Sequence, residues 1–164
     1  MEINKQNNLL ELFYQQYLKE NPDQIFLKSL KNSDNEFTWK ETYLNILKLS
    51  EELSSFIENK DRCLLISENR PEWMITDLSI MLAKGITVPA YTTYVERDYE
   101  YLIDDCNPSV VIVSDYLQYD KIKNIIKSKP YIKKILSFDE IKGEMEVICI
   151  KNIFKKEKYH EKNF

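Results

Sequence analysis

Residues that could bind phosphate groups are scarce in this 164-residue chain, which contains only two glycines, Gly85 and Gly143. Loops that cradle phosphate need several glycines, because backbone N–H groups must approach the anion closely. A dinucleotide-binding fingerprint and a P-loop are therefore excluded within these residues. A doubly wound sheet can bind ligands at its switch point without such loops, but fold-level analogy alone does not establish a site.

Acid–base and nucleophilic chemistry has equally few candidates. His160 is the only histidine and lies in a charged terminal stretch, so a Ser-His-Asp or Cys-His arrangement is not expected. Asp104-Asp105 and Glu51-Glu52 are adjacent carboxylates, but neighbouring residues on a helix point in different directions. We interpret them as solvated helix faces. The sequence thus assigns no catalytic, cofactor-binding or metal-binding residue.

Cysteines and aromatic residues are better explained by packing than by chemistry. Cys63, Cys106 and Cys149 include no close pair, which argues against a disulfide framework and a zinc site. We predict buried, unreactive thiols. A second group could stack on a ligand, although amphipathic aromatics more often fill the edges of a core. Its members are Trp73, Tyr91, Tyr94, Tyr99 and Tyr101.

Composition and charge indicate a globular protein. Apolar residues make up 43% of the chain and charged residues 30%, and no apolar run approaches the length of a membrane span. The net charge of −4 includes +3 from residues 151–164, which we expect to form a solvated basic tail. The acidic remainder, residues 1–150, argues against nucleic-acid binding. Because residues 1–8 do not resemble a signal peptide, we expect a cytoplasmic protein.

The first third of the chain predicts a helix, a hairpin and a second helix. Leucines and aromatics at helical spacing predict a helix over residues 8–20. Residues 25–30 and 36–38 are candidate strands around a polar turn. Thr38 and Glu41 predict a capping box for a long helix that ends near Asn59.

Residues 62–94 predict a strand, a helix and a second strand. Cys63 to Ser67 is a continuous apolar run, as expected for a strand covered on both faces. Asn69 is the expected helix cap, with Glu72 completing a capping box. Gly85 is expected to end the helix in a left-handed conformation. The helix's expected apolar stripe is Met74, Leu78 and Met81.

The same alternation continues towards the carboxyl terminus. Helices are predicted over residues 96–106 and 116–127, and strands over 109–114, 133–138 and, with a weaker pattern, 147–150. The strands that start near 62, 86, 109 and 133 leave room for one crossover helix each, which makes neighbouring strands parallel. We therefore predict an α/β fold with a mostly parallel, doubly wound sheet, occupying residues 1–150.

Four segments in order resemble the AMP-forming acyl-CoA synthetases, and within them the long-chain fatty acid CoA ligases. The segments are FTWKE from Phe37, SENRPEW from Ser67, GITVPAYTT from Gly85, and DCNPS from Asp105 followed by VVIVSD. The resemblance covers roughly residues 10–138. It implies the N-terminal part of an adenylate-forming fold that activates a fatty acid with ATP and magnesium and transfers the acyl group to coenzyme A.

The family's Ser/Thr/Gly-rich phosphate loop and later catalytic residues have no match in this chain. We therefore expect a truncated ligase that is inactive alone, with ATP, magnesium and coenzyme A as family-level ligands. An interaction module that pairs with a separate nucleotide-binding half, through an exposed sheet edge or by self-association, is the alternative. A small independent ligand-binding domain is a third reading. Peripheral membrane association is compatible with each.

Overall fold

The computed structural model describes residues 8–30, 35–142 and 147–157, which form six helices and seven strands. The helices are α1 Leu9–Tyr17, α2 Trp39–Leu53, α3 Pro71–Leu82, α4 Glu96–Cys106, α5 Tyr116–Lys127 and α6 Ile150–Phe154. The strands are β1 Ile25–Lys28, β2 Glu36–Thr38, β3 Arg62–Ile66, β4 Ile86–Ala90, β5 Val110–Val113, β6 Lys134–Ser137 and β7 Val147–Cys149.

The main sheet is parallel, with the strand order β4-β3-β5-β6-β7. The chain first moves from β3 outward to β4, then returns past β3 to β5 and continues outward on the other side. The order therefore reverses between β3 and β5, which makes this point the topological switch point of a doubly wound sheet. The predicted fold class is confirmed.

Side chains of alternate strand residues point to opposite faces, and helices cover both faces. Leu65 and Ile112 face a core shared with α2, α3 and α6, whereas Leu64 and Val111 face a core shared with α4 and α5. All four are fully buried. Burial on both faces explains why β3 and β5 are apolar without alternation.

The N-terminal helix and hairpin form a smaller third core against α2 and α3. Strand β1 pairs antiparallel with β2, as predicted. Trp39 stacks on Phe26 with ring centroids 3.7 Å apart, and the centre of the Phe13 ring lies 5.9 Å from that of Trp39 in the same cluster. The hairpin is therefore fixed to the α/β body by aromatic packing.

Helix α2 begins at the predicted capping box but ends earlier than expected. Its last residue is Leu53, not Asn59. The Ser54 hydroxyl donates to the Ser50 carbonyl at 2.7 Å, and the Ser55 hydroxyl donates to the Glu52 carbonyl at 2.6 Å. The Glu52 carbonyl accepts both the hydroxyl and the N–H of Ser55, and Phe56 N–H donates to Leu53 instead, so the α-helical bonding pattern ends there.

The start of α3 differs from the prediction. Arg70, not Asn69, is the N-cap residue, and no side chain caps the helix. The Glu72 side chain does not complete a capping box, because it is fully buried and accepts hydrogen bonds from Arg70 and Asn35. The predicted cap at Asn69 is therefore wrong. The Glu72 carboxylate is taken up by Arg70 and by the distant Asn35, and Arg70 in turn bonds the distant Asp139, so these contacts outweighed the local capping pattern.

The end of α3 also needs a correction, since the left-handed residue is Lys84 with φ 66° and not Gly85. Gly85 is required for space instead. A Cβ at this position would lie 2.9 Å from Ile57 Cδ1 and 3.0 Å from Ile80 Cγ2. The apolar stripe predicted for α3 also differs from the buried face. Ile75 and Ile80 are fully buried, whereas Met74 and Met81 are only half-buried. Helix α3 lies between two cores and buries more than one stripe.

The carboxyl-terminal segment packs further than residue 150. Ile150 and Ile153 of α6 are buried, and Lys48 Nζ donates to the Phe154 carbonyl at 2.7 Å. Lys156 forms an ion pair with Glu52. Residues 151–157 of the expected solvated tail are therefore attached to α2, while 158–164 lie outside the described residues.

The capping box of α2 supports a stability prediction. Glu41 N–H donates to Thr38 Oγ1 at 3.1 Å, and Thr38 N–H donates to Glu41 Oε2 at 2.8 Å. We expect Thr38→Ala to lower the free energy of unfolding by about 1 kcal/mol. Thr38→Ser keeps the hydroxyl and is the matched control. Urea denaturation that finds the two variants equally stable would contradict the capping role.

Candidate functional site

A cleft of about 950 Å³ lies at the carboxyl ends of β3, β5 and β6. Ligands of doubly wound folds bind in this position, next to the switch point. Part of its lining is apolar and includes Leu27, Leu30, Trp73 and Met74. The charged residues of the lining are Lys28, Glu68, Arg70, Asp115, Asp139 and Lys151.

Arg70 is the centre of a hydrogen-bonded ion network in this cleft. Its Nη2 lies 3.0 Å from Glu72 Oε1, and its Nη1 lies 2.9 Å from Asp139 Oδ2. The guanidinium also lies 5.5 Å from the centre of the Phe138 ring. Asn35 Nδ2 donates to both Glu72 oxygens at 3.1 Å, and Lys151 Nζ donates to Asp139 at 2.6 Å. The network thus joins the hairpin, α3, the end of β6 and α6.

The network keeps its members charged. Burial alone would lower the pKa of Arg70, but hydrogen bonds to Asp139 and Glu72 outweigh it and raise that pKa above its ordinary value. Burial would raise the pKa of Asp139, yet hydrogen bonds from Arg70 and Lys151 hold it below the ordinary value. Each charge is therefore stabilised by an opposite charge, and the cations of the network are already used by carboxylates.

A second polar group lies at the switch point and joins the segments that follow β3 and β5. Gln118 Nε2 donates to Glu68 Oε1 at 3.2 Å, and Gln118 N–H donates to Asp115 Oδ1 at 3.1 Å. Asp115 is thereby the N-cap of α5. Gln118 Oε1 is buried and has no hydrogen-bond partner within the described part of the chain. Glu68 and Asp115 belong to the segments SENRPEW and VVIVSD, but no sequence pattern indicates that Glu68 meets Gln118, 50 positions later.

The aromatic residues weighed as ligand-stacking candidates separate into different environments. Trp73 packs partly against the α2–α3–α6 core and also lines the cleft. Tyr99 is fully buried, and its hydroxyl donates to the Tyr91 carbonyl at 2.8 Å. Burial raises the pKa of Tyr99 to about 12. Tyr94 packs partly against the α4–α5 core, while Tyr101 is 74% exposed.

Two of the three cysteines are buried, as the sequence predicts. Cys63 and Cys106 are buried, and burial raises the pKa of both thiols, that of Cys63 to about 12. Cys149 is only half-buried, and its Sγ lies 3.6 Å from the Phe138 carbonyl oxygen. The prediction of a buried thiol therefore holds for Cys63 and Cys106, whereas Cys149 is only half-buried.

The paired carboxylates do not form a joint acid–base site. Asp104 pairs with Lys129 and accepts a hydrogen bond from Tyr131 at 3.3 Å, whereas Glu52 pairs with Lys156. The hydrogen bond from Lys129 lowers the pKa of Asp104. His160 and Gly143 lie outside the described residues. These carboxylates serve as surface ion-pair partners.

The cleft does not fit a nucleoside triphosphate. Its guanidinium and ammonium groups are paired with carboxylates, and Glu68 and Asp115 add further negative charge. A triphosphate would meet repulsion from these carboxylates, and no glycine, the residue that phosphate loops need, lines the cleft among the described residues. Within residues 8–30, 35–142 and 147–157, no three histidine, cysteine or acidic side chains come together in a metal-binding arrangement. No helix in those ranges combines the length and apolar character needed to cross a bilayer.

Comparison with known proteins adds sequence relatives. The chain is 29% identical to the long-chain-fatty-acid–CoA ligase ACSBG1 of Rattus norvegicus over 84 residues, covering 51% of this chain and 12% of that ligase. It is 26% identical to ACSBG2 of Gallus gallus over 130 residues, covering 77% of this chain and 17% of that ligase. The chain therefore corresponds to a small part of these relatives.

Solved structures share the fold. A putative long-chain-fatty-acid CoA ligase from Rhodopseudomonas palustris superposes with a TM-score of 0.78 at 18% identity, covering 96% of this chain and 39% of that one. A mutant coronafacic acid ligase from Pectobacterium brasiliense gives 0.81 at 19% identity, covering 96% and 31%. At such identities the likeness concerns the fold.

The family model described as AMP-binding enzyme matches residues 14–161. This range contains the whole parallel sheet and all four segments on which the sequence resemblance rests. Its agreement with the sequence relatives and with the fold leaves one assignment: the chain belongs to the AMP-binding enzyme family.

Proposed function

We propose that this chain is the N-terminal scaffold portion of a long-chain fatty acid CoA ligase. In the complete enzyme, a fatty acid would be activated with ATP and magnesium to an acyl-adenylate and then joined to coenzyme A. The observation that carries this proposal is the family match together with relatives that are fatty acid ligases. A cytoplasmic location, with peripheral contact to membranes that supply the fatty acid, belongs to the same proposal.

We further propose that the 164 residues alone do not form the adenylate. The cleft supports this, because its cations are engaged by carboxylates and its remaining charge is negative. The cleft lining also contains no glycine among the described residues, whereas phosphate loops are rich in glycine. In this proposal the chain contributes a rigid parallel sheet, while nucleotide binding requires residues outside it.

Pairing with a partner chain through a sheet edge remains a prediction from the sequence. Neither edge of the main sheet favours it. Strand β4 contains Pro89, which has no N–H to donate to an added strand, and β7 has only three residues before α6 begins. Short edge strands and edge prolines are common protections against pairing.

The activity proposal is tested by incubating the purified 164-residue chain with ATP, magnesium, palmitate and coenzyme A, and quantifying AMP by chromatography. We expect no AMP above the protein-free blank, while a full-length long-chain fatty acid CoA ligase assayed in parallel produces it. AMP formation that depends on palmitate would refute the inactivity of the chain alone.

The scaffold proposal has a separate test in the DNA that follows the coding sequence. We expect a Ser/Thr/Gly-rich loop followed by Pro-Lys, in the same or a shifted frame. Its absence, combined with a stable complex between this chain and a separately encoded nucleotide-binding protein, would favour the interaction module instead.

A further inference from the structure

The hairpin of β1 and β2 lines one side of the cleft without belonging to the main sheet. Leu27, Ser29 and Asn35 contribute to the lining. The two strands pair with each other in a separate two-stranded sheet, and no ladder of backbone hydrogen bonds joins them to the five-stranded sheet among the described residues. The position of the hairpin over the main sheet therefore depends on side-chain contacts.

The ion network of the cleft is the first of these contacts. Asn35 Nδ2 donates to Glu72, which forms an ion pair with Arg70. Arg70 Nη1 lies 2.9 Å from Asp139 Oδ2, beyond the end of β6. Asp139 Oδ1 also accepts a hydrogen bond at 2.6 Å from Lys151 Nζ, and Lys151 belongs to α6. The network thus connects the hairpin with the beginning of α6.

The last residue of α6 reaches the hairpin directly. The Phe154 ring packs against both the α2–α3–α6 core and the smaller core of the hairpin. It meets the Phe37 ring of β2 at an angle of 85°, with ring centroids 6.2 Å apart. Lys48 Nζ of α2 donates to the Phe154 carbonyl at 2.7 Å. Helix α6 therefore contacts the network at one end and the hairpin at the other.

Helix α6 has only five residues, so its position depends on these tertiary contacts. Isolated helices shorter than about 12 residues are marginal in water. Ile150 and Ile153 are buried, which makes the release of α6 a rare opening and not a frequent one. Because the same short helix contacts the network and the hairpin, its release removes contacts from both at once.

We propose that α6 is a strap that fastens the hairpin wall of the cleft, and that the hairpin and α6 open together as one unit. In this opening Lys151 leaves Asp139, Phe154 leaves Phe37, and the cleft loses one side of its lining. The two segments lie towards opposite ends of the chain, so only tertiary contacts can couple them. The proposal does not depend on the proposed ligase function.

Native-state hydrogen exchange of the full 164-residue chain, followed by NMR, tests the joint opening. One reporter is the amide of Ser29, which donates to the Asn35 carbonyl at 2.9 Å inside the hairpin. The other is the amide of Lys156, which donates to the Ile153 carbonyl at 3.1 Å at the end of α6. We expect both amides to be protected in the wild type, with similar opening equilibrium constants.

Two variants weaken the unit from opposite ends. Lys151→Ala breaks the pair between α6 and Asp139, and Lys28→Ala breaks the pair with Glu36 inside the hairpin. Both pairs are exposed, so each variant should speed exchange by about threefold. If the segments open together, each variant accelerates both reporters, Ser29 and Lys156, by the same factor. Amides of the central strand β5 should keep their wild-type rates.

Lys123→Ala is the matched control, since it breaks an exposed pair with Asp120 on α5 and should change neither reporter. The proposal is overturned if Lys28→Ala accelerates Ser29 alone, or if Lys151→Ala accelerates Lys156 alone. An unprotected Lys156 amide in the wild type, or unchanged rates in both variants, would equally refute the strap. Equal acceleration in β5 would show that the exchange reports unfolding of the whole chain instead.

Discussion

The variant Arg70→Ala is expected to lower the free energy of unfolding by about 3 to 5 kcal/mol. Arg70 is the only cation bonded to Glu72 among the described residues, and the Glu72 side chain has an exposed fraction of 0%. Without the guanidinium, a buried carboxylate would keep only the amide of Asn35 as a partner. Asp139 would also lose two hydrogen bonds at the end of β6.

Urea denaturation monitored by circular dichroism measures this effect. The double variant Arg70→Ala/Glu72→Gln should recover part of the loss, because it also removes the buried charge. Lys28→Ala breaks an exposed pair with Glu36 and should change stability by less than about 1 kcal/mol. An Arg70→Ala protein as stable as Lys28→Ala would show that the network does not hold the cleft together.

We expect Ile112→Ala to lower the free energy of unfolding by about 2 to 5 kcal/mol. Ile112 is fully buried in β5, and its neighbours in register are Leu65 of β3 and Leu136 of β6. All three face the α2–α3–α6 core. The truncation removes apolar contacts and leaves a cavity that the flanking strands cannot close.

Ile86→Ala is the matched control, since Ile86 begins the edge strand β4 and is 45% exposed. The same chemical change there should cost less than about 1 kcal/mol. Similar unfolding midpoints for the two variants would contradict the central position of β5.

Local patterns were sufficient for most elements of the sheet. Helices α4 and α5 have the bounds that their periodicity predicts, and the strand starts are one crossover helix apart. These predictions succeed because the buried apolar residues of both helices face one core, and because nearby aspartates, Asp98 in α4 and Asp115 at α5, bond the first turns. The prediction at Asn69 failed where a distant partner did compete, since Arg70 bonds Asp139 from 69 positions away.

The family could also be recognised from the sequence. Segments such as SENRPEW and GITVPAYTT occur in order and imply the adenylate-forming fold, which the family match confirms. The structure shows which contacts some residues of these segments make. In SENRPEW, Arg70 forms an ion pair with the fully buried Glu72. In GITVPAYTT, Gly85 leaves the space that the Ile57 and Ile80 side chains occupy.

The amino-acid sequence by itself determined the α/β class, the parallel crossovers and the family, because these depend on periodicity and on short segments read along the chain. Tertiary structure alone decided which polar residues meet at the switch point. Glu68 and Gln118 are 50 positions apart, and Asn35 and Glu72 are 37 apart. Such contacts form where strands β3, β5 and β6 end side by side, and no local pattern encodes that neighbourhood.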